Sequence, residues 1–477
     1  MAVRSRIERT AATASAKDSH HPMSSTSRVQ SRRLSDHAWT WYLVIAVCLA
    51  PVLVPPGPGR SALLDPFNVI ALAAFAATMA IAHRSIQVPF AAPVILMSVG
   101  SLLATANAVN APAALFTLIQ DAYLYVWFVM LVNVLSGRGD LRLLRVAWVL
   151  AACGVAIIGL VGMAQHGADS MAAILNPKGF RAMGTFDQPD ELADYLALSV
   201  FMALSLQGRF ARLLKWGSIA LILIAMAATK ANGGLLSLSA GLVAMAIVGA
   251  WTRGVSPEGW VATGLLAAGG LLTVVWLIGG MGLGASEISH LESHSFLGRM
   301  GHSSEGREKI WQTLFRHYRQ NPLGIGPGNS RWQSVTIEER ERPIKGHLVT
   351  FDSGADPFLS KEAHNDYIAY IVERGPLALL GMLMLRWQVF ARLLKGWKNA
   401  RATATDRAAF GALTATMFGA WVCSCLNANT IETLHFRHVW LFLGLVCALE
   451  PGPARQPALE PSPSPNMPAL SPVGMPS

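Results

Sequence analysis

The sequence predicts an all-α fold: a polytopic transmembrane helix bundle of about twelve helices, with a large extracytoplasmic loop that contains an amphipathic helix. Three observations predict it. Hydrophobic residues make up 52% of 477 positions and charged ones only 14%, a balance in which lipid rather than water is the main solvent. The apolar residues gather into long uncharged runs, among them 41–54, 69–82, 219–228, 235–250 and 261–283. With small or polar flanks, each can cross a hydrocarbon core ~30 Å thick as a helix. The basic residues are dispersed in short links between these runs, where they act as topology signals.

Taken in order, residues 1–37 read as a disordered basic cytoplasmic tail, with Arg4, Arg6, Arg9, Lys17, Arg28, Arg32 and Arg33 among many Ser, Thr and Ala. Nine spanning helices follow within 38–283, at 38–56, 66–83, 88–109, 112–135, 143–163, 189–207, 212–229, 232–251 and 261–283. Residues 284–363 lack a spanning run and form the large loop. Three more helices, 365–390, 408–426 and 432–449, lie within 364–450, and 451–477 is a Pro/Ser-rich tail with no periodicity. The links carrying Arg138, Arg142 and Arg145, then Arg209, Arg212 and Lys215, then Arg392, Lys395, Lys398, Arg401 and Arg407 are assigned to the cytoplasm. Alternation then puts both termini inside. The links holding Arg60, Asn110 and Lys230, which are poor in basic residues, fall outside with the large loop.

The formal net charge of +10 does not point to nucleic acid, because the basic residues form no single face. The five cysteines (Cys48, Cys153, Cys423, Cys425, Cys447) all lie in apolar runs without metal-ligand spacing, so neither a disulfide framework nor a metal site is expected. No cofactor is expected either.

The loop 284–363 carries ten Lys/Arg and ten Asp/Glu, so any attraction for an anion comes from placement rather than net charge. Within it, Ile310, Trp311, Leu314, Phe315 and Tyr318 recur at helical spacing, with Glu305 and Glu308 near the start and Arg316 and Arg319 near the end. This is the pattern of an amphipathic helix lying at the membrane surface. Asn321-Pro322 stops it, and the glycines of NPLGIGPGN (321–329), Gly326 and Gly328 among them, form the turn beyond.

Three polar stretches stand against apolar surroundings on the outer side. In FRAMGTFDQPDELADY (180–195), Arg181 precedes a Gly-Thr-Phe turn, and Pro189, Asp190 and Glu191 open a helix where proline and acids are favoured. In SSEGREKIW (303–311), Arg307 precedes Trp311 by one turn, and a guanidinium there can clamp phosphate with two hydrogen bonds. In KEAHNDYIAYIVERG (361–375), His364 and Asn365 stand at the mouth of a helix, and histidine is the side chain best able to take a proton near neutral pH. Each has a bland alternative: an ordinary helix start, a snorkelling arginine, an interfacial histidine. Lys230, Asp121, Glu373, Arg374, Glu432, His435, Arg437 and His438 are further polar groups in or beside apolar segments, open to mutual pairing or to lining a cavity.

FRAMGTFDQPDELADYLAL, SSEGREKIW with NPLGIGPGN, and AHNDYIAYIVERGPLALLG together resemble the O-antigen ligase and O-antigen polymerase family of bacterial glycan-assembly membrane proteins. The resemblance spans about residues 40–450 and is strongest over 181–381. It implies an inner-membrane enzyme with its active site facing the periplasm. Such an enzyme moves a glycan from undecaprenyl pyrophosphate to a hydroxyl of lipid A-core or of a growing polysaccharide, without metal or cofactor. It also leaves room for other polysaccharide-assembly proteins as partners. Carried onto matching positions, it makes Arg181, Arg307 and His364 catalytic: the arginines hold the pyrophosphate and His364 serves as base or orients the acceptor. Asn365, Lys230, Trp311, Gly326 and Gly328 are implied as substrate-binding. Two departures stand out. Asp190 occupies a position where relatives often have Asn, and Ala231-Asn232-Gly233-Gly234 replaces Ser-Arg-Gly-Gly, leaving Lys230 to stand in without a bidentate fork. A secondary transporter of about twelve helices shares the hydropathy, but the chain shows no repeat between its halves.

Overall fold

In the computed structural model, the described residues are 25–54, 62–83, 85–135, 141–164, 181–207, 209–253, 269, 307, 310–330, 363–402 and 407–449. They fall into two units, one ending at Leu43 and the other beginning at Val44. The helices are α1 (Ser25–Leu49), α2 (Asp65–Ala82), α3 (Ala91–Thr105), α4 (Ala111–Leu135), α5 (Arg142–Ala164), α6 (Pro189–Leu204), α7 (Arg209–Thr229), α8 (Asn232–Arg253), α9 (Asp366–Ala402), α10 (Arg407–Asn427) and α11 (Arg437–Ala448). A further helical run covers 310–320, and no strand occurs among the described residues.

Six of these helices, α2, α4, α5, α7, α8 and α9, are long and apolar enough to cross a membrane; α3, α11 and the stretch His37–Leu49 are apolar but shorter. Large apolar side chains on them point away from the protein: Val69 is 61% exposed, Ile70 70% and Ile157 50%. In water such faces would be costly, whereas in hydrocarbon they are at home. This is a multi-pass helical membrane protein. The expected span at 261–283 lies, except for Gly269, outside the described residues, as does most of the loop 284–363.

Several boundaries differ from expectation for local reasons. α1 starts at Ser25 rather than near 38, because no Gly or Pro interrupts the chain between Pro22 and Pro51. α2 starts where Pro66 occupies the first turn and Asp65 accepts from the Ala62 amide at 2.7 Å. α11 starts at Arg437 rather than 432, because the amide of Thr433 is taken by the Asp366 carboxylate at 2.9 Å. Past Leu204 the Ser205 hydroxyl turns back to the Met202 carbonyl, ending α6 before 207.

α6 forms the centre, packed by α5, α7, α8 and α10 and buried almost throughout. α8 crosses α10 where a β-carbon on Gly241 would lie 2.5 Å from the Gly419 carbonyl oxygen, and one on Gly419 2.6 Å from that of Gly241. Such backbone proximity is how helices associate where lipid removes the hydrophobic drive between them. α3 packs along α9, and α11 along α4.

Candidate functional site

The links gather at two ends. At one, the Arg145 guanidinium donates to the Ser205 carbonyl at 2.8 Å, joining the start of α5 to the end of α6. At the other, hydrogen bonds tie 181–190 to 51–54 and to 228–230, 107–110 to 321–330, and 363–366 to 427–433. Every described candidate residue belongs to this second end.

Arg181 sits where the chain enters the turn before α6. Its Nε donates to the Thr229 carbonyl at 2.6 Å and its Nη2 to Asp190 Oδ1 at 3.0 Å, while the Ala182 amide donates to the Ala228 carbonyl at 3.0 Å. These bonds aim the guanidinium outward, 35% of the side chain remaining exposed, with donors left over for an anion. Lys230, the residue after the anchoring carbonyl, is exposed and adopts a left-handed backbone at φ 54°. Arg307 lies within electrostatic reach of Asp190 and Arg181. Burial is the largest influence on Arg307 and pushes its pKa below the usual guanidinium value; Asp190 opposes that shift and Arg181 adds to it. Asp190 thus pairs with Arg181 and acts on Arg307 through its charge.

The run 310–320 connects this cluster to His364. Its apolar side, Ile310, Leu314 and Tyr318, packs on Ala363, Ile368, Ala369, Ile371 and Val372 at the start of α9. Protein covers much of this apolar face, while Phe315 stays 36% exposed. Trp311 Nε1 donates to the Ala363 carbonyl at 2.9 Å, immediately before His364. His364 is left-handed at φ 49° and only partly buried. Asn365 Oδ1 then caps α9 by accepting from the amides of Tyr367 at 2.9 Å and Ile368 at 3.1 Å, and its Nδ2 donates to the Asn429 carbonyl at 3.2 Å.

Gly326 and Gly328 lie in a loop that closes onto a break in α9. Pro376 has no amide to offer Val372, and Gly375, at φ 79°, turns the helix. The freed carbonyls of Val372 and Glu373 accept instead from the amides of Ile325 at 3.0 Å and Gly326 at 2.9 Å. The Glu373 carboxylate accepts from the amides of Gly328 at 2.7 Å and Ser330 at 3.1 Å. Glycine is required here, since φ reaches 98° at Gly326 and 66° at Gly328.

Ionisable groups deeper in the helices are paired. Arg374 binds Asp121 and Ser101, while Arg437 grips Asp65 at 2.9 and 2.5 Å. His438 meets Asp194 at 2.8 Å, and Asn427 donates to the other oxygen of that carboxylate at 2.5 Å. Arg386 contacts Asp366 Oδ2 and Ser424 Oγ, each at 3.2 Å. Asp65, Asp194, Asp366 and Arg386 escaped the sequence reading. The available signal was an ionisable residue inside an apolar run, which marks a partner elsewhere without saying where. Among the described residues no three His, Cys, Asp or Glu gather as a metal site needs.

The described residues thus form a helical membrane bundle with a partly open cationic cluster at one end. A family model described as O-antigen ligase matches residues 217–383. Over that segment, about a third of the chain, the protein is similar to the O-antigen ligase family. Lys230, Arg307 and His364 lie inside the matched segment; Arg181 lies before it. No curated protein matches the chain.

Proposed function

We propose that this protein is an inner-membrane glycosyltransferase. In this reading it transfers a glycan from undecaprenyl pyrophosphate to a hydroxyl of lipid A-core or of a growing polysaccharide, on the periplasmic side. The observation that carries the reading is convergence: Arg181 pairs with Asp190, Arg307 lies within electrostatic reach of both, and Trp311, four residues after Arg307, holds the carbonyl before His364. Arg181 and Arg307 take the pyrophosphate, with Lys230 adding charge beside them. The acceptor oxygen attacks the anomeric carbon, the bond to the phosphate oxygen breaks, and its electron pair leaves with the lipid diphosphate. His364 takes the acceptor's proton. Two guanidiniums in a partly desolvated place stabilise the charge that grows on the leaving group. Single displacement inverts the anomeric configuration, and a product retaining it would overturn this scheme. Asn365, Trp311, Gly326 and Gly328 serve the site by fixing the turn and loop that frame it.

The test is complementation of cells lacking the native protein with wild type, Arg181→Ala, Arg307→Ala or His364→Ala at matched membrane levels. Long surface glycan should return with wild type, whereas each variant should restore less than about a hundredth, the scale of losing a key electrostatic or acid–base group. Accumulation of long lipid-linked chains identifies a ligase, and of single lipid-linked repeats a polymerase. Full complementation by all three variants would sink the assignment and favour the transporter.

A further inference from the structure

A carboxylate paired with Arg181 and within electrostatic reach of Arg307 is unexpected in a site meant for an anion. Asp190 Oδ1 lies 3.0 Å from Arg181 Nη2, and the two side chains are 28% and 35% exposed, so the pair can open to water without stranding a buried charge. Two other arginine carboxylate pairs are more enclosed, Arg386 with Asp366 at 11% and 2% and Arg437 with Asp65 at 8% and 17%, while Asp121 is 31% exposed beside an arginine that is only 11% exposed. Arg386 reaches Ser424 and Thr433 besides, and Arg437 grips its carboxylate with two nitrogens, whereas Arg181 meets Asp190 through Nη2 alone and spends Nε on the Thr229 carbonyl. Glu191, the neighbouring acid, is instead buried and accepts from the Asp187 amide at 3.2 Å.

We propose that Asp190 is a built-in counter-ion that competes with the diphosphate for Arg181 and Arg307 and so loosens the protein's hold on the lipid diphosphate left after transfer. This rests on the donor-site reading above. With Asp190 ionised, the three groups sum to one positive charge. A glycan-linked lipid diphosphate brings two negative charges. After transfer the terminal phosphate is a monoester with a further ionisable oxygen, so the product is the more anionic ligand. A fixed carboxylate therefore opposes product more than donor. Without an anion, the same carboxylate holds the Arg181 fork in place.

The test is binding of inorganic pyrophosphate to the full-length protein in lipid nanodiscs, by titration calorimetry at low salt. The set comprises wild type, Asp190→Asn, Asp190→Ser, Arg181→Ala, Arg307→Ala and the Arg181→Ala/Asp190→Asn double variant. Both Asp190 variants should bind roughly three- to tenfold tighter, a modest factor because the pair is half-exposed. The gain should shrink as salt rises and largely vanish on the Arg181→Ala background. Affinity equal to or weaker than wild type in both Asp190 variants, with Arg181→Ala and Arg307→Ala still weakening binding, would overturn the counter-ion and leave the donor site standing. If neither arginine variant changes pyrophosphate binding, the donor site itself falls and the counter-ion with it.

Discussion

His364 holds a left-handed backbone that costs a residue with a β-carbon on the order of 1 kcal/mol, although histidine tolerates it better than most. Its neighbours supply the restraint. Behind it Trp311 fixes the Ala363 carbonyl, and ahead of it Asp366 donates its amide to the Ala428 carbonyl at 2.8 Å. The Asp366 side chain accepts from Thr433 at 2.9 and 2.6 Å and faces Arg386. Arg386 thus acts on the histidine turn from well inside α9. Replacing it with methionine strands a buried carboxylate, a change that costs about 3–5 kcal/mol where it has been isolated. Arg386→Met should lower the unfolding midpoint in detergent by on the order of 5 °C, and adding Asp366→Asn should recover part of the loss. An unchanged midpoint would show that Asp366 does not depend on Arg386. Arg181, Arg307 and His364 stand out in the sequence because each is a polar outlier beside a recognisable turn. The pairs deeper in the helices do not, since pairing there is non-local: Asp65 and Arg437 meet across 372 positions.

At the scale of elements, the run 310–320 and the loop after it act as one brace against α9. The apolar residues Ile310, Leu314 and Tyr318 supply the packing, and the 321–330 loop supplies amides to the carbonyls that Pro376 and Gly375 free. Both parts could be foreseen as helix and turn, because their periodicity and glycines are local signals. That they fold onto the start and kink of α9 could not, because the same apolar stripe suits lipid or protein equally well. Trp311 gives the brace a measurable link to the site. Trp311→Phe keeps a large ring but loses the indole donor to Ala363, a hydrogen bond worth about 1 kcal/mol. It should reduce glycan transfer several-fold, while pyrophosphate binding stays within about twofold of wild type, because Arg307 and Arg181 keep their positions. Equal loss of binding and transfer would mean that Trp311 shapes the arginine cluster rather than the histidine turn.

At the scale of the molecule, hydrogen bonds join the links into groups at two ends of the bundle. Links holding Asn110, Lys230 and the 321–330 loop meet at the site end, whereas Arg145 and Ser205 meet at the other. The link before α3 joins the end of α4, with the Gln87 amide donating to Asn133 at 2.9 Å. Which end faces which side is what the charge bias predicts, since one apolar run per crossing and few basic residues outside are independent signals that must agree. A site end facing the periplasm can be tested with single cysteines on a background lacking the five native ones. Asn429 and Gln87 are both exposed, and their main-chain bonds survive substitution. Asn429→Cys should react with a membrane-impermeant maleimide in cells whose outer membrane alone is opened, and Gln87→Cys only after the inner membrane is opened too. The opposite pattern would invert the bundle and put the arginine cluster in the cytoplasm, away from a periplasmic acceptor. Labelling of both from outside would mean that these helices do not separate the two link sets across a bilayer.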